Sequence, residues 1–312
     1  KRVRELTPIK DEAYSEIINQ LGPLGIEQVD FKALSKKEEE FTRVYFNTEI
    51  KPLISPQIID KRHPFPFFKN KDIYAVAYME SKSSVKLGVI PASGNFERVI
   101  FLPNEKLRFM LVEDLILHYA PEVFENYKII DKSLMRVTRN ADINAEEALY
   151  DHDVDFRDAM AELIKRRKKL SPVRLELSRH LSSPAIDFLC EKLEITESQI
   201  FHTKAPLDLS FVYPLGDKVR DKTELFFTKL SPQKSPNVIE YEPMIPQIQH
   251  KDILLSYPYE SIKPFIRLLN EAASDSHVVS VKITLYRVAR NSQIVEALIN
   301  MAENGKDVLV LV

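Results

Sequence analysis

Cysteine, tryptophan and glycine are scarce in this sequence of 312 residues, which has one cysteine, no tryptophan and 6 glycines. The single cysteine, Cys190, excludes a disulfide within the chain and favours a cytoplasmic compartment over a secreted one. No run of about 18 apolar residues is present, so the sequence predicts no membrane-spanning helix. The first residues, KRVRELTPIK, lack the apolar core of a secretory signal.

The glycine-rich motifs of nucleotide-binding proteins are also missing. Neither GxxxxGK[ST] nor GxGxxG occurs, so a nucleotide would have to bind without a P-loop or a Rossmann fingerprint. The histidines form no metal-binding pair such as HxxxH or HExxH. The net charge is −2, which gives no electrostatic argument for a nucleic-acid partner.

The periodicity of the apolar residues predicts a mixed α+β fold. Residues 11–50 have mainly helical spacing, whereas DIYAVAYME, SVKLGVIPA and ERVIFLP alternate as strands do. The segment LRFMLVEDLILHYAPEVF is predicted to be one amphipathic helix. It is followed by a predicted strand (YKIIDKSLMRVTRNADI), a helix (VDFRDAMAELIKRRKKL), a strand (VRLELS) and a helix (SPAIDFLCEKLEI).

The last third of the chain predicts a βαβ unit. Repeated prolines in residues 206–250 indicate a connection with little regular structure. After a helix in SYPYESIKPFIRLLNEAASD, the segments HVVSVKITLYRV, NSQIVEALINMAEN and DVLVLV predict strand, helix and strand. Such a unit implies parallel strands, and the first is apolar enough to be buried on both faces. We expect Asn291 or Ser292 to cap the helix and Gly305 to end it.

Arg287 is the strongest candidate for a ligand-binding residue. It falls at the carboxyl end of a predicted parallel strand, where open α/β sheets place their ligands. Its guanidinium suits phosphoryl oxygens, although a solvated arginine at a strand end is the simpler alternative. The neighbouring Lys282 and Arg290 are predicted to be structural or solvated.

Other basic residues could guide a polyanion. The run KRRKK at 165–169, with Arg166 and Arg167, could do so, or could instead favour the end of a helix through its dipole. Arg136 and Arg139 could face the same polyanion, or could pair with Asp142 and Glu146. Cys190 is predicted to be a buried, inert thiol.

Five segments resemble the bacterial polyphosphate kinase family, in the order in which that family carries them. They are HPFPFFKN at 63–70, RVTRNADINAEE at 136–147, PVRLELSR at 172–179, APLDLSFVYPL at 205–215, and DILLSYPYES with everything that follows it. The resemblance implies a helical remnant of an N-terminal domain (1–62), an α+β head domain with dimer contacts (63–205) and a linker-like segment (206–250). Residues 251–312 would begin a phospholipase D-like α/β catalytic domain.

The resemblance also implies a reaction, which is reversible transfer of the ATP γ-phosphoryl group to polyphosphate through a phosphohistidine, with Mg²⁺. It places the phosphohistidine outside this segment, so that none of the seven histidines is the nucleophile and the segment alone is inactive. It places Arg287 at the magnesium–phosphate position, acting through phosphate, and implies ATP, ADP, polyphosphate and a second copy of the chain as partners. It allows peripheral association with the inner membrane. A non-catalytic head or assembly module and a phospholipase D-like phosphodiesterase are the alternatives.

Overall fold

The protein is described here by a computed structural model that covers residues 2–60, 65–81, 84–94, 96–140, 171–289 and 291–311. The chain forms two compact units, Lys1–Asp221 and Lys222–Val312. Helices and sheets occur together in both units, which confirms the mixed α+β class. Several predicted features, namely the helix that ends in KRRKK, Arg166, Arg167 and Arg290, lie outside the described residues.

The first unit is built around a six-stranded sheet. Its helices are α1 (Arg2–Leu21), α2 (Lys36–Tyr45), α3 (Val112–Val123), α4 (Ser183–Leu193) and α5 (Val212–Lys218). Its strands are β1 (Ile26–Gln28), β2 (Gln57–Ile59), β3 (Ile73–Ser81), β4 (Ser84–Pro91), β5 (Val99–Phe101), β6 (Leu107–Leu111), β7 (Lys128–Arg139), β8 (Pro172–Leu177) and β9 (Ile200–His202). The large sheet has the order β2-β4-β3-β7-β8-β9, and a smaller one has the order β1-β6-β5. In the large sheet the pair β8–β9 is parallel and the other pairs are antiparallel.

Both faces of the large sheet are buried. Successive side chains of a strand point to opposite faces, so Ala75, Ala77 and Met79 of β3 enter one hydrophobic core and Tyr74 and Val76 enter the other. Helix α3 belongs to the first core and helix α4 to the second. The alternation of the predicted strands therefore separates two cores, rather than a core from solvent.

One glycine of β4 is required by close packing. A Cβ atom built on Gly88 would lie 2.7 Å from the ring of Phe124 and 2.9 Å from the terminal carbon of Met79. Both of these side chains are buried, with exposed fractions of 3% and 0%. The ring therefore has no open space to move into, and the strand can approach it only where the side chain is a hydrogen atom.

The prediction of one continuous helix from Leu107 was wrong. Residues Leu107–Leu111 form β6, which pairs antiparallel with β5 and parallel with β1, and the helix α3 begins only at Val112. Phe109, Met110 and Leu111 are all buried, and such a short apolar run suits a buried strand as well as a helix. The partner strands decide the conformation, and one of them, β1, lies in a region predicted to be mainly helical.

The second unit contains the βαβ motif. Its elements are α6 (Met244–His250), α7 (Lys263–Ser274), β10 (Ser280–Thr284), α8 (Gln293–Glu303) and β11 (Asp307–Leu311). Strands β10 and β11 are parallel, as predicted, with Ser280 opposite Asp307. Helix α8 is followed by Gly305, whose φ of +81° is the left-handed conformation that glycine adopts easily. Residues 206–250 contain short helices, turns and an isolated β-bridge between Gln233 and Glu260.

Burial of β10 on both faces was a wrong prediction. Val281 and Ile283 pack into a core with residues of α7 and α8, whereas Ser280, Lys282 and Thr284 are exposed. The two helices cover one face of the strand, and polar residues occupy the other within the described part of the chain. No described helix combines the length and the apolar character that a membrane span needs.

Candidate functional site

The candidate site is the loop that follows β10. The strand was predicted to continue to Val288 but ends at Thr284. The N–H of Leu285 donates to the carbonyl of Leu311 at 2.7 Å, and the chain then leaves the sheet. Arg287 therefore lies beyond the strand, in the connection to α8, at the edge where both parallel strands have their carboxyl ends.

Arg287 has a guanidinium without an internal partner. The side chain is exposed, and its Cζ lies 5.9 Å from the ring centroid of Tyr286, which is itself 91% exposed. Among the arginines in the described ranges, only Arg179 and Arg287 have a guanidinium that makes neither a hydrogen bond nor an ion pair. A guanidinium carries five N–H donors and a permanent charge, so those of Arg287 are available to a ligand.

The start of α8 adds further donors to the same loop. Ser292 is the N-cap residue, but its side chain accepts no hydrogen bond from the helix. The first N–H groups of a helix have no intrahelical acceptor, and the helix dipole makes that end favourable for an anion. The sequence correctly placed the cap at Asn291 or Ser292, but the expected side-chain bond is not made.

The other basic residues near Arg287 are arranged differently. Lys282 is exposed on β10, opposite Leu309 of β11. A cavity of about 1070 Å³ in this unit runs along α7 and reaches Gln293 at the start of α8. Arg287 is exposed and is not among the lining residues of this cavity.

Arg136 and Arg139 of the first unit bind the protein itself. Arg136 donates from Nε to the carbonyl of Lys71 at 3.0 Å and from Nη1 to that of Leu207 at 2.5 Å. Arg139 donates from Nε to the carbonyl of Phe68 at 2.9 Å, and burial lowers the pKa of its guanidinium. These contacts fasten β7 to segments distant in sequence.

A partly buried arginine that sequence reasoning missed joins three parts of the first unit. Arg98 donates to Glu113 Oε1 at 2.7 Å and to Asp208 Oδ2 at 3.0 Å, and also to the carbonyl of Asp208 at 2.6 Å. Glu113 is 1% exposed. The pairing gave no local sequence signal because the acceptors lie 15 and 110 residues away along the chain.

Comparison with known proteins adds to this geometry. The family profile described as "Polyphosphate kinase middle domain" matches residues 37–215, and "Polyphosphate kinase C-terminal domain 1" matches residues 243–312. The chain belongs to the polyphosphate kinase family. Arg287 lies in the part that matches C-terminal domain 1, and Arg136 and Arg139 lie in the part that matches the middle domain.

Relatives in the family share about a third of the residues. The polyphosphate kinase of Bacillus anthracis is 35% identical over 298 residues, which is 92% of this chain and 42% of the relative. That of Halalkalibacterium halodurans is 34% identical over 323 residues, or 100% of this chain and 45% of the relative. The chain thus spans less than half the length of these polyphosphate kinases.

A solved structure supports the fold. The crystal structure of polyphosphate kinase from Porphyromonas gingivalis superposes with a TM-score of 0.74 and 22% sequence identity, over 99% of this chain and 46% of that chain. At this identity the likeness concerns the fold alone.

Proposed function

We propose that this chain is part of a polyphosphate kinase that transfers the ATP γ-phosphoryl group reversibly to inorganic polyphosphate. Membership of the family supports the reaction class. The observation that carries the proposal for this chain is Arg287, whose unpartnered guanidinium lies in one loop with the uncapped start of α8. Both groups are donors to an oxyanion, and both lie at the carboxyl edge of a parallel sheet.

In this proposal Arg287 binds the oxygens of the phosphoryl group while that group is being transferred. Charge spreads over those oxygens in the transition state of phosphoryl transfer, so fixed donors around them lower the barrier. Because Arg287 has no internal hydrogen bond, it loses none when it meets the phosphoryl group. Its effect should therefore fall on the rate of transfer more than on the binding of ATP.

The proposed Mg²⁺ would meet this chain through phosphate. A guanidinium has no lone pair for a cation, and no group of three or more His, Cys, Asp or Glu side chains within the described residues could hold a metal ion. Arg287 fits the position of a residue that binds phosphoryl oxygens that also ligate the metal. When bound, Mg²⁺ would neutralise part of the phosphate charge.

The phosphohistidine is proposed to lie outside residues 1–312, so this segment alone should neither become phosphorylated nor make polyphosphate. We also propose a homodimer through the α+β head and a cytoplasmic location. Arg166 and Arg167 stay candidates for the polyphosphate path. Arg136 and Arg139 are weaker candidates, because their guanidinium groups already bind backbone carbonyls.

The test is the rate of polyphosphate synthesis by a complete enzyme that carries this sequence. Arg287→Ala should lower kcat by on the order of 10²-fold or more, or about 3 kcal/mol, as the loss of an oxyanion donor does. Arg287→Lys should recover little, because an ammonium cannot reproduce the planar fork of a guanidinium. Lys282→Ala, an exposed residue of the same unit, is the matched control and should keep a normal rate.

Thermal melting should show that both Arg287 variants are folded, since the side chain is exposed and packs against no core. Near-normal kcat in a folded Arg287→Ala enzyme would show that this arginine is only solvated. Hydrolysis of a phosphodiester, without phosphoryl transfer from ATP, would favour the phosphodiesterase alternative. Absence of both activities in the complete protein would favour the assembly module.

A further inference from the structure

The second unpartnered guanidinium, that of Arg179, lies at a cavity far from Arg287 in sequence. Arg179 follows β8 and is exposed, and its backbone is fixed by two hydrogen bonds with Ser133 Oγ. Its guanidinium makes no hydrogen bond or ion pair with a described residue. The side chain lines a cavity of about 660 Å³ in the first unit, and also a neighbouring one of about 440 Å³.

More positively charged than negatively charged side chains line the larger cavity. It is lined by Lys32, Lys132 and Arg179 against Asp30 and Asp114. One oxygen of Asp30, Oδ1, already accepts hydrogen bonds from the backbone N–H groups of Lys32 and Ala33 at 2.9 and 3.2 Å.

Lys132 presents one further donor to this cavity. Its ammonium donates to the carbonyls of Leu117 and His118 at 2.7 and 3.1 Å. An ammonium has three N–H groups, so one of them remains. Burial, and then the charge of Arg179, lowers the pKa of Lys132.

The carboxyl of Asp114 is a hydrogen-bond acceptor for which no described residue provides a donor. Its carboxyl is half-buried, lines the same cavity and accepts no hydrogen bond from a described residue. Its neighbour in the helix, Glu113, forms an ion pair with Arg98. The cavity thus holds the free guanidinium of Arg179, the ammonium of Lys32, one free N–H of the Lys132 ammonium and the free carboxyl of Asp114.

We propose that this cavity binds a phosphoryl group that retains a P–OH, either inorganic phosphate or the end of a polyphosphate chain. Its charged oxygens would accept hydrogen bonds from Arg179 and Lys132, and its hydroxyl would donate to Asp114. Tetrahedral oxyanions without a hydroxyl cannot make the last bond. The proposal stands on the chemistry of this cavity and does not depend on kinase activity.

The hydrogen bond from the phosphate hydroxyl to Asp114 predicts a preference for phosphate over sulfate that changes with pH. At about pH 8 hydrogenphosphate keeps a hydroxyl to donate, whereas sulfate would bring only acceptors against the ionised Asp114. Burial and Glu113 raise the pKa of Asp114 to about 7, against the lowering effect of Arg179 and Arg98. Below that pH the protonated carboxyl can donate to either anion, so the preference for phosphate should shrink.

The other charged or titratable groups that line the cavity around Asp114 are Asp30, Lys32, Lys132 and His118. Asp30 further raises the pKa of Asp114. Burial and the neighbouring Lys132 lower the pKa of His118, so this histidine adds no charge at about pH 8.

The experiment is calorimetric titration of the 312-residue chain, in buffer free of phosphate and at matched ionic strength. At about pH 8, orthophosphate should bind at least about tenfold more tightly than sulfate, since one hydrogen bond to a charged group contributes about 1.5 kcal/mol or more. Cyclic trimetaphosphate, which has no chain end, should bind as weakly as sulfate. Linear tripolyphosphate identifies the source: tighter binding than orthophosphate indicates a chain end, and weaker binding indicates free phosphate.

Single substitutions in the cavity test this proposal independently of the proposed function. Arg179→Gln should weaken phosphate binding by at least about tenfold, whereas Arg220→Gln, at an exposed arginine of the same unit, should leave it unchanged. Asp114→Asn should bring the phosphate-to-sulfate ratio at about pH 8 close to one. Equal binding of phosphate and sulfate by the unmodified chain, or unchanged binding in a folded Arg179→Gln variant, would overturn the inference whatever the outcome at Arg287.

Discussion

Replacing Asp114 with asparagine should stabilise the first unit at alkaline pH and change little in acid. The carboxyl lies beside Glu113 in the first turn of α3 and has no hydrogen-bond donor among the described residues. Burial, and then the charge of Glu113, raises its pKa from 3.8 to about 7. Arg179 and Arg98 oppose this shift without cancelling it.

The sign and the size follow from this shift in pKa. The folded chain holds the proton of Asp114 between about pH 4 and pH 7, where the unfolded chain has lost it. The free energy of unfolding therefore falls as the pH rises through this interval and is constant above it. At about 1.4 kcal/mol for each unit of pKa, the full cost is about 4 kcal/mol, reduced by the partial exposure of the side chain. Asparagine has a similar shape and no proton to lose, so the variant avoids the cost.

Denaturant unfolding followed by circular dichroism at about pH 5 and pH 8 measures the effect. The gain from Asp114→Asn should be larger at pH 8 by on the order of 1–3 kcal/mol. Asp217→Asn, at an exposed carboxylate of the same unit, controls for the loss of one negative charge. A variant that is less stable than the unmodified chain at pH 8, or a gain independent of pH, would show that the fold stabilises the ionised form of Asp114.

The packing and the buried ion pair give further predictions. Gly88→Ala should destabilise the first unit by about 1–3 kcal/mol, because the new Cβ overlaps a buried aromatic ring. Gly216→Ala meets nothing within 4 Å and should be neutral or stabilising, and equal melting temperatures of the two variants would contradict the packing argument. Arg98→Ala should cost about 3 kcal/mol or more in chemical unfolding, because Glu113 keeps a buried charge without its partner. Arg220→Ala, at an exposed pair, should cost less than about 1 kcal/mol, and a similar loss in both would refute the special role of Arg98.

Much of the fold could be predicted from the sequence because the segments that became β3, β4 and β7 are rich in β-branched and aromatic residues. The residues of β8 alternate, whereas β3 is apolar on both faces because each face enters a core. Where periodicity fails, the cause is a short apolar run. The residues of β6 fit a helix and a strand equally well by pattern, and only the neighbouring strands β1 and β5, brought in from elsewhere in the chain, decide between them.

The candidate site was predictable in part. A basic residue after an apolar strand of a βαβ unit identifies the sheet edge, and this located Arg287 without coordinates. Whether its guanidinium is free depends on every acceptor in the folded chain, which no local pattern contains. The same limit explains why Arg98 and Arg179 were missed. The ion-pair partners of Arg98 are distant in sequence. Whether Arg179 has a partner likewise depends on residues distant in sequence, and none of the described residues provides one.

Arg136 and Arg287 show how the two kinds of arginine can be separated. Both lie in segments that resemble the polyphosphate kinase family, so resemblance alone gives them equal claims to phosphate. Two N–H groups of Arg136 are bound to the carbonyls of Lys71 and Leu207, so a ligand either uses the remaining three or displaces a carbonyl, at about 1.5–3 kcal/mol for each lost hydrogen bond to a charged group. A ligand at Arg287 displaces only water, because no described residue holds its guanidinium. Displacing both carbonyls would cost about as much as the whole expected contribution of one arginine to transition-state binding, so the internal partners of an arginine limit its interaction with a polyanion in a way that its place in a motif does not show.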